Sequence, residues 1–238
     1  MTGEIRTNVA RVNERITAAC RRAGRRPEEV RLVAVSKTVL PEYIREAYEA
    51  GVRHFGENRV QEAAAKRPAL ADLNITWHLI GHLQSNKAKL ARKLFHWVHS
   101  LDSIEIAERL DRAEPGSPPR EAGEDQRLPV LIEVNLGGEA SKHGVTESAA
   151  AELAANIGRL RAVRLVGLMV VPPYFEEPEK VRPCFSRLRE LARVINSAGS
   201  PGVHMRELSM GMSHDFDAAI EEGATLIRVG TAIFGTRS

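Results

Sequence analysis

The chain alternates between short apolar runs and amphipathic segments with helical spacing. An amphipathic segment opens it, over residues 3 to about 23, with apolar positions three and four apart. The next run, VRLVAVSK (30–37), has the length and apolar content of a buried strand. Pro41 is a helix-start signal and Gly51 is a helix-end signal, so a second helix is predicted between them.

The same alternation continues to the C-terminus. Seven further strands are predicted, and helical patterns follow most of them: 52–58, 75–81, 96–102, 128–136, 163–171, 205–212 and 225–235. Alternating strands and helices are typical of parallel βαβ units. Eight such units in 238 residues predict an α/β fold, a closed (β/α)8 TIM barrel with one extra N-terminal helix. A doubly wound open sheet is the alternative.

One segment interrupts this rhythm. Residues 114–126 read EPGSPPREAGEDQ, with glycine, proline and charge but no periodicity, and predict an exposed loop. This loop joins a helix to the next strand, so it belongs to the barrel face opposite the strand C-termini. We predict one domain over residues 1–238, with residues 1–24 as the N-terminal helix and no functional role for the loop.

Composition is that of an ordinary globular protein, with 43% hydrophobic and 27% charged residues. No apolar stretch approaches the roughly 20 residues that span a bilayer, and the N-terminus lacks the apolar core of a signal peptide. Cys20 and Cys184 belong to no CxxC pattern and are read as free thiols of a cytosolic protein. The sequence therefore predicts a cytoplasmic protein without membrane contact.

Basic residues concentrate around residues 20–31 and 85–95, although the net charge is only +3. Aromatic residues make up 5% of the chain, so stacking surfaces for nucleic acid bases are scarce. A solvated basic face is the favoured interpretation. A nucleic-acid-binding module remains an alternative, which a steep salt dependence of binding would support.

The strongest chemical signal is a lysine at a strand end. In (β/α)8 barrels the active sites lie at the C-terminal ends of the strands, where Lys37 follows the first strand. Desolvation or a nearby cation there would make its amine nucleophilic and able to form a Schiff base with an aldehyde. A lysine that extends to solvent at the barrel rim is the alternative.

Two C-terminal motifs add a phosphate signal. LSMGMS places Ser209 and Gly211 immediately before a predicted helix, with Ser213 as a predicted N-cap. RVGTA places Gly230 and Thr231 at the end of the last strand, where barrels frequently bind phosphate. Ordinary turn chemistry could explain either motif alone. Together with the strand-end lysine they indicate a phosphorylated aldehyde.

Metal binding is not expected. His78 and His82 share a face if their strand continues, but they would then lie roughly 13 Å apart. No third ligand stands at a useful spacing, so no metal site is predicted.

The motifs AVSKT, HFGENRVQE, WHLIGHLQSNK, KHGV and SMGMSHDFDAAIEEGATLIRVGTAIFG together resemble the YggS/PROSC family of pyridoxal-phosphate-binding proteins. The resemblance runs from about residue 30 to the C-terminus, and its last block is highly specific. It implies the barrel of the alanine racemase N-terminal domain, pyridoxal 5'-phosphate (PLP) as cofactor, and a role in PLP homeostasis.

Residue by residue, the resemblance implies a Schiff base between PLP and Lys37. It implies that Ser209, Gly230 and Thr231 hold the phosphate and that Arg228 lies by the pyridine nitrogen. The implied PLP-binding residues are Lys37, Asn58, Ser209, Met210, Gly211, Arg228, Gly230 and Thr231, with no catalytic residue.

Arg228 bears on whether the chain is an enzyme. An arginine stays protonated, so beside the pyridine nitrogen it would disfavour ring protonation and weaken the cofactor as an electron sink. Racemases also need a second acid/base, which a second domain and a partner subunit supply, whereas this chain ends at Ser238. We therefore expect a non-catalytic, monomeric protein that buffers PLP or delivers it to apo-enzymes. The alternative is a PLP-dependent amino-acid racemase or lyase of low activity.

Overall fold

The computed structural model describes residues 4–114, 125–137 and 143–235. Eight parallel strands close into a barrel, in which each strand pairs with its successor and the last pairs with the first. This confirms the predicted (β/α)8 barrel and excludes the open sheet. The strands are β1 Arg31–Val35, β2 His54–Glu57, β3 Thr76–Leu79, β4 Trp97–Leu101, β5 Leu128–Glu133, β6 Val163–Met169, β7 Glu207–Met212 and β8 Leu226–Val229.

Helices surround the barrel. Those in the described residues are α1 Glu4–Arg22, α2 Pro41–Glu49, α3 Val60–Lys66, α4 Ala88–Leu94, α5 Ile104–Arg112, α6 Glu147–Ile157, α7 Arg182–Ser197, α8 Phe216–Glu221 and α9 Thr231–Phe234. The extra N-terminal helix is confirmed as α1, which packs against α8 and α9. Residues 225–235 were predicted as the last strand and its exit, whereas Thr231–Phe234 form α9, because a short apolar run does not distinguish strand from helix.

The barrel interior has its own apolar layer, distinct from the larger core between strands and helices. Val33 of β1 and Leu131 of β5 belong to this layer, and these two strands stand on opposite sides of the barrel. A cluster that joins them must therefore fill the interior. Because side chains alternate along a strand, Glu133 of β5 shares the inward face of Leu131, one level nearer the C-terminal mouth.

The predicted loop at 114–126 falls mostly outside the described residues, since 115–124 are not described. Its exposure and its lack of function stay predictions. In the described part of the chain, no helix has the length and apolar character required to cross a membrane. Neither Cys20 nor Cys184 forms a disulfide within the part of the chain that the structure describes.

Candidate functional site

Lys37 follows β1 at the mouth of the barrel. Ser36 is fully buried and Lys37 is half-buried. The next residue, Thr38, has a φ of +61°, which β-branched residues rarely adopt, and its N–H donates to the Glu62 carboxylate. Among the described residues, Lys37 has no hydrogen-bond or ion-pair partner. This strained turn therefore presents an amine that no described protein group occupies.

A second lysine lies directly beneath this turn and is fully engaged. Lys66, 9% exposed, donates from Nζ to Ser36 O at 2.6 Å, Glu62 Oε1 at 2.6 Å and Glu57 Oε1 at 3.0 Å. Glu57 is fully buried, and burial raises the pKa of its carboxyl. All three ammonium protons of Lys66 are used, so its amine is not available as a nucleophile. Sequence reasoning missed this cluster, although Glu62 and Lys66 have the i,i+4 spacing of a helical ion pair.

Arg228 points from β8 into the barrel and is 4% exposed. Its Nη1 donates to Ser209 Oγ at 2.7 Å and its Nη2 donates to Val170 O at 2.8 Å. Burial lowers the pKa of Arg228 to about 10, while the charges of Glu133 and Asp215 act in the opposite direction. The guanidinium is therefore charged at neutral pH, and uncharged groups accept these two hydrogen bonds.

Ser209 and Ser213 have different hydrogen-bond partners from those that the local sequence pattern predicted. Ser209 is fully buried, and its hydroxyl bonds Arg228 and, at 2.8 Å, His99 Nδ1. Ser213 is not the predicted helix cap, because α8 begins at Phe216 after Asp215. Instead, Ser213 Oγ accepts hydrogen bonds from two N–H groups of the loop that follows β8. These residues are far from Ser213 in the sequence, so the local pattern could not predict this contact. These donors are Gly230 N at 3.2 Å and Ala232 N at 3.2 Å.

The other residues predicted to bind PLP lie in different environments. Met210 is fully buried in the core between strands and helices, so its side chain points away from the barrel interior. Gly211 has a φ of +89°, and a Cβ there would lie 2.5 Å from the Ala219 Cβ. Thr231 is exposed at the start of α9. Gly211 therefore allows a close turn that a larger residue would block.

The closed barrel brings these residues onto one arc of the mouth. β7, β8, β1 and β2 are consecutive neighbours, and Ser213, Gly230, Lys37 and Asn58 follow their C-terminal ends in that order. Next to Asn58, a cavity of about 610 Å³ opens, with Gly81, His82 and His143 among its lining residues. A solvent-accessible space therefore adjoins the lysine side of the mouth.

His82, Asp102 and His143 gather beside this cavity, and His82 and His143 line it. His82 Nδ1 lies 3.2 Å from Asp102 Oδ2, and the rings of His82 and His143 are parallel within 7° at 3.8 Å. An imidazole binds a metal through a lone pair in its ring plane, so two parallel rings cannot direct their lone pairs at one ion. His78 is separate, inside the barrel, because β3 ends at Leu79.

Comparison with known proteins agrees with this geometry. A family model for the alanine racemase N-terminal domain matches residues 7–238. The chain belongs to this family. It is 46% identical over 229 residues to the pyridoxal phosphate homeostasis protein of Aquifex aeolicus (strain VF5), covering 96% of each chain. It is 43% identical over 237 residues to the protein of that name from Escherichia coli (strain K12), covering 98% and 97%. The family predicted from the motifs is confirmed.

Solved structures extend the comparison. The structure of PipY from Synechococcus elongatus PCC7942 with PLP bound is 42% identical, with a TM-score of 0.78, and the match covers 94% of this chain and all of that one. An alanine racemase of Clostridium difficile 630 is 14% identical with a TM-score of 0.70, and the match covers 98% of this chain and 57% of that one. At that identity the likeness shows the fold alone.

Proposed function

We propose that this protein binds PLP through Lys37 and takes part in PLP homeostasis, as a buffer or carrier rather than an enzyme. The observation that carries the proposal is Lys37 itself, a mouth lysine without a described protein partner, whereas the adjacent Lys66 is fully engaged. The family relatives named for PLP homeostasis and the PLP-bound PipY structure support it.

The residues on the lysine side of the mouth suit each part of this cofactor. Thr231 and the N–H groups of Gly230 and Ala232 would hold the phosphate, and a phosphate oxygen would then replace Ser213 Oγ as the acceptor of those two N–H groups. Ser209 would contribute indirectly, by accepting a hydrogen bond from Arg228. Asn58 and the backbone of Met210 and Gly211 would border the pocket.

Bound PLP supplies an aldehyde for covalent attachment and a ring that withdraws electrons when its nitrogen is protonated. Arg228 would lie by that nitrogen. Because its guanidinium donates only and stays charged, it disfavours protonation of that nitrogen. The site therefore favours holding the cofactor over chemistry that needs a strong electron sink.

One observation favours the alternative, a weak amino-acid racemase or lyase activity. Glu133 is buried on β5, across the barrel from β1, and burial raises its pKa to about 7. A carboxyl that titrates near neutral pH can exchange protons. In this case Glu133→Gln would abolish exchange of the α-hydrogen of amino acids with deuterated water while leaving the cofactor bound.

The decisive experiment is the visible absorption spectrum with and without added PLP, followed by borohydride reduction. We expect a reducible band and covalent labelling in the wild type and not in Lys37→Ala. Lys87→Ala, at the cavity beside Asn58, is the matched control and should retain both. Equal labelling of Lys37→Ala at the same site would refute the assignment.

The partners and setting remain part of the proposal. We propose a monomer of one domain that works in the cytoplasm and passes PLP to apo-enzymes. Two cysteines without a disulfide in the described residues agree with a reducing compartment. The basic N-terminal segment is largely neutralised by its own ion pairs, including Arg22 with Glu221 and Arg26 with Glu29, which argues against nucleic acid binding. Sedimentation at several protein concentrations tests the monomer.

A further inference from the structure

Three histidines from neighbouring strands form a hydrogen-bonded chain inside the barrel. His54 Nδ1 lies 3.0 Å from His78 Nε2, and His78 Nδ1 lies 2.9 Å from His99 Nε2. His99 Nδ1 lies 2.8 Å from Ser209 Oγ, and Ser209 Oγ accepts from Arg228. His78, His99 and Ser209 are fully buried. The chain therefore runs from β2 through β3 and β4 and crosses the interior to β7.

None of the three imidazoles carries a charge at neutral pH. Burial lowers the pKa of His54 to about 4 and holds the pKa values of His78 and His99 well below the ordinary value. The positive charges of Arg31 and Arg228 act in the same direction on His99. A neutral imidazole has one N–H donor and one acceptor nitrogen, so each ring must donate on one side and accept on the other.

The groups that surround the three histidines also favour their uncharged form. The Trp97 ring stacks on His78 with centroids 5.6 Å apart, and the Arg31 guanidinium lies 5.3 Å above the same tryptophan. His96, which precedes β4 and accepts the Trp77 N–H at Nδ1, also disfavours a charge on His78. Arg31 is itself paired with Glu207 at 3.0 Å, so a proton added to His78 would be opposed mainly by desolvation and only secondarily by charge.

Arg228 then determines in which direction the hydrogen bonds of the histidine chain are donated. Arginine only donates, so Ser209 Oγ accepts from it and has one proton to give. Among the described groups, His99 Nδ1 is the acceptor for that proton. His99 must therefore carry its proton on Nε2 and donate to His78, which in turn donates from Nε2 to His54. The opposite direction would leave the buried Ser209 hydroxyl proton without an acceptor.

We infer that His99, supported by His78 and His54, is a positioning residue for Arg228: it fixes the Ser209 hydroxyl so that the oxygen always faces the guanidinium. Val170 O holds the other side of the same group. The buried cation is thereby kept at one place below the mouth by neutral partners. The consequence for the cofactor rests on the proposed function, in which Arg228 lies by the pyridine nitrogen.

The first test needs no cofactor. Nitrogen NMR of the full-length protein with labelled histidine side chains reports which ring nitrogen is protonated. We expect His54, His78 and His99 to be neutral, with the proton on Nε2, between about pH 6 and 8. A proton on Nδ1 of His78 or His99, or a doubly protonated ring in this range, would overturn the inference.

The second test uses paired substitutions and added PLP. His99→Asn places an amide oxygen near the Nδ1 position, where it can accept from Ser209, whereas His99→Leu is apolar and cannot. We expect His99→Leu to weaken PLP binding roughly tenfold and shift the absorption band, and His99→Asn to weaken it by less than about threefold. His204→Asn, at an exposed position, is the control.

The outcomes separate the two proposals. Equal effects of His99→Leu and His99→Asn on the band would show that the acceptor at Nδ1 is not what positions Arg228. If the wild type binds no PLP, the proposed function fails. The protonation pattern of the three histidines still decides whether they fix the orientation of the Ser209 hydroxyl.

Discussion

Replacing Lys66 by methionine removes the cation from the cluster beneath Lys37 and keeps most of the side-chain volume. Glu57 would then stay fully buried with Ser36 Oγ, at 2.7 Å, as its remaining described side-chain partner. Its Oε2 already has no hydrogen-bond partner among the described groups. Removing one member of a buried ion pair costs about 3–5 kcal/mol, because the other charge is left uncompensated. We expect a loss of this size in the free energy of unfolding at pH 8.

The cost should depend on pH. Burial already raises the pKa of Glu57, and loss of the Lys66 charge raises it further. A carboxyl whose folded-state pKa lies above its unfolded value binds its proton more tightly when folded. Its penalty is therefore absent below the unfolded pKa and grows as the pH rises through the folded one. Lys66→Met should accordingly be less destabilised, relative to wild type, at pH 5 than at pH 8.

Urea unfolding at the two pH values measures both effects, and Lys89→Met, which makes the same substitution at an exposed lysine, is the matched control. The control should change stability by less than about 0.5 kcal/mol. Combining Lys66→Met with Glu57→Gln should recover part of the loss, because the stranded charge is gone. Equal stability of Lys66→Met and Lys89→Met at pH 8, or a Lys66→Met deficit that grows as the pH falls, would refute this reasoning.

Two further changes test the site from other directions. Gly211→Ala forces a Cβ to 2.5 Å from the Ala219 Cβ at a φ of +89°, so we expect the free energy of unfolding to fall by roughly 2–4 kcal/mol. Gly24→Ala is the comparison: its φ is +65° but the space around it is open, so we expect a loss of about 1 kcal/mol. Urea unfolding compares them, and similar losses would show that the contact at Gly211 relaxes freely. Glu133, with its pKa raised to about 7, should make the free energy of unfolding fall as the pH rises from about 4.5 to 7. Glu133→Gln should flatten that part of the profile, and an unchanged slope would assign the fall to other groups.

The sequence alone determined the architecture and the position of the lysine. Strand and helix periods are local properties, so the alternation of eight units predicted the closed barrel before any contact was known. Lys37, Gly230 and Thr231 lie at strand ends for the same reason. Parallel strands must place their C-terminal ends at one face, so these residues were predicted to lie near one another.

The partners of these residues were decided by the tertiary structure. Ser213 bonds the loop after β8 rather than capping its own helix, because β7 and β8 are neighbours and α8 begins only after Asp215. The histidine chain depends on register: His78 pairs with Gly56 rather than His54, and this offset lets rings from adjacent strands meet. Register arises from closure of the whole barrel, and no local pattern encodes it. The residues that hold Arg228 and engage Lys66 were therefore visible only once the fold was known.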